Sequence, residues 1–397
     1  MHGKHLTKFI LGILLFIAIV LITYVLIKKP SNNNTVLKSI DNVQSVKENT
    51  NISNKPSLEI DASFEEIENN SKSIEYPVGL DISSVGGITD KGNIILKVLN
   101  NNVTNSISYF NIDEEPTKEN LKLIKEIDEP GEFNNFIIHS SYDDYILFEE
   151  YYQLLKKSIY YVYDFKNNKL DKVYEATNVW PIHFTHSYWY DKTIYMNFQS
   201  SDPYTYLTFM YNTDTKKFSL LNLNHSTSPV VIGDNLYYIK INNKTRTTEV
   251  IKHNINTNNE ESIYSIKDSP TYIEHIYYDG KNPYIIINDQ GLVEIYMADD
   301  LFNPKDLLYK STGIEHRFRF SKNFIIFTGD PKNEDRRRSD YIINLHNKKL
   351  YDYNNGIVLT SDNYLLWIKY KKDPTEIPKG GVFKRDNSCM MVYKLNK

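Results

Sequence analysis

From residue 73 onward, short apolar runs alternate with polar turns, and the order of these signals recurs along the chain. In each recurrence a polar turn precedes an apolar strand, as where Lys91-Gly92-Asn93 precedes IILKVL. The residue just before each strand falls at Asn93, Asp144, Thr193, Asn235, Pro283, Asn323 and Asn363. These positions lie 45 residues apart on average, so the chain carries a long internal repeat.

A second signal lies between successive copies of the first. It is a strand that ends in a polar residue and is followed by a turn and another strand. The polar residue falls at Asn111, Asp164, Asn212, Asn254, Asp299, Asn344 and Lys394. Each series has seven members, and the two interleave without exception. Four strands in about 40–50 residues are typical of a propeller blade. The sequence therefore predicts an all-β fold, a seven-bladed β-propeller.

Other repeat architectures fit this pattern less well. A β-sandwich needs no fixed period, and a β-helix needs a shorter one. Alternating strand patterns and 32 tyrosines disfavour a helical solenoid. The single cysteine, Cys389, excludes a disulfide within the chain, and its apolar neighbours predict a buried position in a strand.

The chain stops after the third strand of the seventh period, which leaves that blade one strand short. An open ring would expose unpaired backbone groups at its edge. The segment from Ser73 to Val78 precedes the first period and has an extended pattern. We expect it to pair with the strand from Cys389 to Leu395 and so close the ring.

The N-terminal region differs from the repeat. Residues 9–27 are uncharged and long enough to cross a bilayer as a helix, after a short cytoplasmic tail of residues 1–8. Residues 28–72 are poor in aromatics and predict a flexible, disordered linker, which allows a short helix over 64–69. The propeller is predicted over 73–397. Positive charges favour an extracytoplasmic body at the cell membrane; a cleaved signal peptide and an inverted anchor are the alternatives.

Composition and motifs exclude several kinds of chemistry. A net charge of −4 and a pI of 6.2, without a basic stripe, predict no nucleic-acid partner. The sequence has no Gly-rich phosphate loop, no His-Glu-x-x-His, no Gly-x-Ser-x-Gly, no cysteine pair and no complete calcium loop. We therefore predict no catalytic residue, no metal and no cofactor.

One face of the propeller offers candidate binding residues. The loops that enter each innermost strand should share this face with two long polar loops, 330–340 and 371–387. We expect any ligand to bind there, although solvated loops and isolated channel positions would give the same pattern. The candidate residues are Trp180, His183, Tyr272, Glu274, Arg317 and Arg336.

The repeat resembles bacterial extracytoplasmic β-propellers of the TolB-like and YWTD-like sort. The resemblance rests on the period and on Tyr-rich segments such as Asn235-Leu236-Tyr237-Tyr238 and Tyr188-Trp189-Tyr190-Asp191. The strict YWTD tetrapeptide and the Gly-His…Trp-Asp signature of WD repeats are both absent. The resemblance therefore implies the fold and no functional residue.

A predicted anchor, a stalk and a rigid body without an active-site motif favour a non-catalytic binding or sensing module. Its partner would be a protein, a peptide or a cell-envelope polymer. The alternatives are a carbohydrate-active hydrolase or lyase with its site in the channel mouth, and a structural component of an envelope complex. Fold alone does not decide among them.

Overall fold

The computed structural model describes residues 58–77, 80–100, 103–128, 134–177, 187–199, 206–221, 226–242, 244–267, 270–329, 339–353, 357–370 and 388–395. These residues all belong to one unit, Asn51–Lys397. The predicted tail, the predicted membrane span and linker residues 28–57 lie outside the described residues. Within the described ranges, no helix has the length and apolar character needed to span a bilayer.

Four successive four-stranded antiparallel sheets form the first four blades. Blade 1 contains β3 (Asp81–Ile88), β4 (Asn93–Asn100), β5 (Val103–Asn111) and β6 (Lys122–Glu126). Blade 2 contains β7 (Asn134–Tyr142), β8 (Tyr145–Tyr152), β9 (Lys157–Asp164) and β10 (Lys169–Thr177). Blade 3 contains β11 (Ser187–Tyr190), β12 (Thr193–Gln199), β13 (Tyr206–Asn212) and β14 (Phe218–Leu221). Blade 4 contains β15 (Ser226–Ile232), β16 (Asn235–Asn242), β17 (Thr247–Asn254) and β18 (Glu260–Ile266).

Blades 5 and 6 share one long strand. Blade 5 contains β19 (Thr271–Tyr278), β20 (Pro283–Asp289), β21 (Leu292–Ala298) and the first part of β22 (Pro304–Ser321). The last part of β22 pairs instead with β23 (Phe324–Gly329), which is followed by β24 (Ser339–Asn344) and β25 (Lys349–Tyr353). The 18-residue β22 is therefore the outermost strand of blade 5 and the innermost strand of blade 6.

The seventh blade is closed by a strand from the start of the body, as predicted, but that strand shares only Ser73 and Ile74 with the predicted segment 73–78. The blade contains β26 (Val358–Thr360), β27 (Tyr364–Tyr370) and β28 (Ser388–Lys394), and its fourth strand is β2 (Ser71–Ile74) from the start of the body. β2 runs antiparallel to β28, with Ser73 opposite Met391. The described strands thus form seven blades, which confirms the seven-bladed propeller.

Ordered elements precede residue 73, where the sequence predicts the boundary between linker and propeller. β1 (Glu59–Ala62) pairs in parallel with β25 as an added outer strand of blade 6, and α1 (Glu65–Asn69) follows it. Leu58 and Ile67 are 6% and 3% exposed and pack in the cores of blades 5–7. Few apolar side chains suffice here because neighbouring blades already supply the surface that buries them.

The core lies between the faces of adjacent blades. Blades 1 and 2 bury Ile95 and Ile107 against Phe136 and Phe148, all at 0% exposure. Because each sheet is covered on both faces, the middle strands are mostly apolar and buried, and β23 is buried along its whole length. Each side chain buried in this way contributes about 1.5–3 kcal/mol.

The two recurring sequence signals meet in space. The polar residue that ends a third strand lies opposite the residue that begins the second strand, as Asn111 lies opposite Asn93 and Asn212 opposite Thr193. The Asn212 amide donates to the Thr193 hydroxyl (3.0 Å), while its carbonyl oxygen accepts the Asp214 backbone N–H (3.1 Å). The signal therefore marks Asx turns, which stabilise the hairpins at one face of the ring.

Candidate functional site

The seven innermost strands surround a central channel, and one mouth of that channel is formed by turns. These are the turns that join the first strand of each blade to the second. A cavity of about 830 Å³ opens among them. Its lining comes from blades 1, 2, 5, 6 and 7 and includes Asp90, Lys91, Tyr142, Asp143, Asp279, Lys281, Lys322, His346, Lys348 and Asp362. This mouth lies on the opposite side of the ring from the loops predicted to bind a ligand.

Asp90 links three blades at this mouth. One carboxylate oxygen accepts the backbone N–H of Asp143 in blade 2 (2.9 Å), and the other accepts that of Asn363 in blade 7 (3.2 Å). The Asn363 amide also donates to the backbone carbonyl of Asp90 (3.2 Å). Residues 90 and 363 become neighbours only because the ring closes, so this turn adds a second fastening beside the β2–β28 ladder.

A second carboxylate, Asp362, joins blades 7 and 6. It accepts the backbone N–H of Lys322 (2.8 Å), and the Lys322 ammonium lies 3.1 Å from its other oxygen. Burial and the nearby charge of Asp362 raise the pKa of Asp90. The two carboxylates therefore interact electrostatically at the junction of the chain's two ends.

The Lys322 ammonium also lies 5.1 Å from the ring centroid of Tyr142, which belongs to blade 2. Blades 6 and 2 are not neighbours in the ring, so this side chain reaches beyond its adjacent blades at the mouth. Burial lowers the pKa of Lys322, but the attraction of Asp362 outweighs it and the net shift is upward. The ammonium is thus held charged beside a carboxylate and an aromatic face.

The blade 5 and 6 side of the cavity has a different character. Asp279 accepts the backbone N–H groups of Lys281 (2.7 Å) and Asn282 (2.6 Å) and the Tyr284 hydroxyl (2.8 Å). Among the residues that the structure describes, Lys281 and Lys348 form no ion pair. On this side of the cavity, two lysine ammonium groups therefore have no ion-pair partner among the described residues, although the Asp279 carboxylate lies in the same lining.

Three of the six predicted site residues are described, and they lie on inner strands. Tyr272 and Glu274 lie on β19, and Arg317 lies on the inner part of β22. Tyr272 is 43% exposed beside Glu274. Trp180, His183 and Arg336 lie outside the described residues. The structure therefore brings Tyr272 and Glu274 together, and the contribution of the other four stays a prediction.

A β-bulge sets the position of Glu274. β19 carries one extra residue between Ile273 and His275 relative to β20, and that residue is Glu274. The Asn288 amide donates to its carboxylate (3.0 Å). Burial raises the pKa of Glu274, and the hydrogen bond from Asn288 offsets this only in part.

A serine, a histidine and a glutamate lie in a row beside this bulge. His275 Nδ1 lies 3.2 Å from the Ser228 hydroxyl, and His275 Nε2 lies 3.8 Å from Glu274 Oε1. The second distance is too long for a hydrogen bond, and Ser228 is only 2% exposed. A nucleophile must reach its substrate, so this row does not form a nucleophilic triad.

The sequence analysis missed a pair of buried carboxylates in blade 2. Glu149 and Glu150 are adjacent on β8 and are 1% and 0% exposed. Glu149 accepts hydrogen bonds from Ser158 and lies 2.9 Å from His139 Nε2, while Glu150 accepts from the Tyr152 hydroxyl (2.6 Å). Two acids within the apolar strand YILFEEYY were the signal available in the sequence. Their partners indicate a structural role within the blade.

Comparison with known proteins finds distant similarity to several solved structures. No protein-family model matches the chain, and no curated protein matches it. A prolyl endopeptidase structure is 9% identical, with 86% of this chain and 57% of that chain covered and a TM-score of 0.42. The propeller domain of the trilobed protease from Pyrococcus furiosus is 12% identical over 74% and 90%, with a TM-score of 0.47.

TolB from Acinetobacter baumannii is also similar. It is 8% identical, with 70% of this chain and 62% of that chain covered and a TM-score of 0.41. The chain spans 57% and 62% of the prolyl endopeptidase and TolB chains. The expected resemblance to TolB-like propellers is confirmed for the fold alone.

Proposed function

We propose that this propeller is a non-catalytic binding or sensing module, held at the cell membrane by its N-terminal segment with the propeller outside. In this proposal the turn-lined channel mouth takes a polar ligand, either a protein segment, a peptide or a cell-envelope polymer. The membrane attachment rests on the uncharged run of residues 9–27.

The observation that carries the binding proposal is the cavity of about 830 Å³ and the state of its carboxylates. Each of its four aspartates, at positions 90, 143, 279 and 362, already has a backbone N–H, hydroxyl or lysine partner. Acid–base catalysis needs a carboxyl group that can exchange a proton with its substrate. Partnered carboxylates in a rigid ring suit recognition better than proton transfer.

The test is a binding screen of the full-length chain against peptide arrays and cell-envelope glycans. We expect a ligand whose affinity falls about tenfold or more when Lys281 and Lys348 are both replaced by alanine. Lys244→Ala is the matched control, because this exposed lysine lies in the β16–β17 turn on the other face of the ring. Equal loss in the control, or binding unaffected by the cavity variants, would place the ligand elsewhere.

The competing functions give different results in the same preparation. A carbohydrate-active hydrolase or lyase would turn over an envelope glycan, and Asp90→Asn or Asp362→Asn would abolish that turnover. A structural component would co-purify with membrane neighbours whatever the state of the cavity. Protease added to intact spheroplasts would digest the body if it lies outside and would spare it if the anchor is inverted.

A further inference from the structure

The channel mouth contains an ammonium site that the protein fills with its own side chain. Lys322 places its ammonium 3.1 Å from Asp362 Oδ2 and 5.1 Å from the centroid of Tyr142. A carboxylate beside an aromatic face is the environment in which proteins recognise organic cations. The residue filling it comes from a different blade from either partner.

The site does not depend on the lysine side chain for its shape. Asp362 is held by the backbone N–H of Lys322 (2.8 Å), which stays in place whatever the side chain does. Tyr142 stacks on Trp189 of blade 3, with ring centroids 5.5 Å apart and an angle of 16°. Both recognition groups are therefore positioned in advance, and a ligand would not need to order them.

The occupant, in contrast, is loosely held. The Lys322 side chain is 50% exposed, and exposed ion pairs contribute little to stability. Its four-carbon stem is flexible and can turn toward solvent. Displacing the Lys322 ammonium therefore costs little, so an ammonium group carried by another molecule can take its place.

The rest of the cavity indicates what else such a ligand carries. Asp90 and the Lys91–Asp143 pair belong to blades 1 and 2, like Tyr142, whereas Lys281 and Lys348 line the cavity from blades 5 and 6 without an ion-pair partner among the described residues. A ligand with an ammonium at one end and a carboxylate at the other matches both sides. A short peptide with a lysine side chain and a free carboxylate has this arrangement.

We propose that the channel mouth binds a lysine side chain of a peptide, whose ammonium displaces that of Lys322 between Asp362 and Tyr142. This inference rests on the proposed binding function and names its ligand class. Lys322 then acts as an internal competitor that lowers the affinity of the resting protein.

The experiment measures the binding of N-acetyl-lysine to the full-length chain and to Lys322→Met, which keeps the stem and removes the charge. We expect Lys322→Met to bind about two- to fivefold more tightly than the unaltered chain, because the exposed ion pair that a ligand must displace is gone. N-acetylnorleucine, which lacks the ammonium, should show no gain. The gain should vanish in Lys322→Met/Asp362→Asn, where the asparagine still accepts the backbone N–H.

Two controls keep the result interpretable. Lys281→Met removes a cation of the same cavity without emptying the ammonium site, so it should give no gain. Thermal unfolding of each variant confirms that the ring is intact. A Lys322→Met variant that binds no more tightly than the unaltered chain, or a gain that survives Asp362→Asn, would overturn the inference. Equal gain with glucosamine would overturn the peptide assignment.

The two proposals fail in different ways. If the ammonium site is wrong but the binding function is right, the screen still returns a ligand that is sensitive to Lys281 and Lys348. If the binding function is wrong, that screen returns no such ligand, even where Lys322→Met gains affinity for the small probe.

Discussion

Replacing Ile74 by alanine tests how strongly the closing strand holds the ring together. Ile74 ends β2 and is 5% exposed. It packs among residues of blades 1 and 7 that include Leu366, Met390 and Val392. The substitution leaves the β2–β28 backbone ladder in place and removes only apolar contact at the junction of the two ends.

The size of the effect follows from this burial. Alanine lacks three of the carbon atoms of isoleucine, and each buried methylene contributes about 0.8 kcal/mol. The cavity left behind adds to that loss, so we expect destabilisation of about 2.5–4 kcal/mol. A domain is typically stable by about 5–15 kcal/mol, so this loss would be a large part of the total.

Urea unfolding of the full-length chain measures the change. Trp367 in β27 is 1% exposed, so unfolding of blade 7 exposes it and changes the total tryptophan fluorescence of the chain. Ser73→Ala is the matched control, because Ser73 is an exposed neighbour on the same strand and should change stability by less than about 0.5 kcal/mol. Similar costs for the two variants, or an Ile74→Ala chain as stable as the unaltered one, would refute a clasp held by apolar packing.

Three further predictions follow from individual residues. Burial lowers the pKa of Lys97 from 10.5 to about 8, so the stability of the unaltered chain should rise as pH increases from 8 towards 10.5. In urea titrations, Lys97→Met should flatten that rise and stabilise the chain at pH 7 by about 1–2 kcal/mol. The raised pKa of Glu274 gives the opposite pH dependence of stability. Relative to Glu274→Gln, the unaltered chain should gain stability as pH falls from 7 through that pKa. Parallel stability profiles of the two chains against pH would contradict this. Gly92→Ala should cost about 2–4 kcal/mol in thermal unfolding, because φ is +79° and the new Cβ would lie 2.8 Å from Ile112; Gly233→Ala, at φ +58° with nothing within 4 Å, should cost only about 1–2 kcal/mol.

The blade pattern could be predicted because each period carries its own local signal. Polar turn residues such as Asn111 and Asn212 satisfy the backbone of the same hairpin in six of the seven blades. That requirement acts between residues close in sequence, so one chain displays it six times. The closing strand could be predicted as well, because a blade one strand short leaves an unsatisfied edge.

The early boundary of the body was harder to predict. Residues 58–72 are polar in composition, and composition favours a linker. Their order depends on surfaces from blades 5–7 that lie almost 300 residues later in the chain, such as the pairing of Ala62 with Tyr351. The sequence pattern of residues 58–72 cannot indicate a covering surface that forms only when the ring is complete.

The cluster at the channel mouth could not be predicted from the sequence for a related reason. Asp90, Tyr142, Lys322 and Asp362 each resemble ordinary turn residues, and they approach one another only after the ring closes. On the inner strands, bulges at Ile138/Ser140 and Ile273/His275 also break the alternation that would otherwise say which way a side chain points.

The strand shared by blades 5 and 6 has a mechanical consequence. Where most neighbouring sheets are joined by a loop that can lengthen under tension, these two are joined by continuous strand backbone from Pro304 to Ser321. The sheets of blades 5 and 6 cannot rotate apart about a loop, so they should move as one rigid unit when the ring fluctuates. Slow opening motions should then concentrate at the seam between β2 and β28. Backbone amides at that seam should exchange with solvent faster than the amides of the shared strand β22.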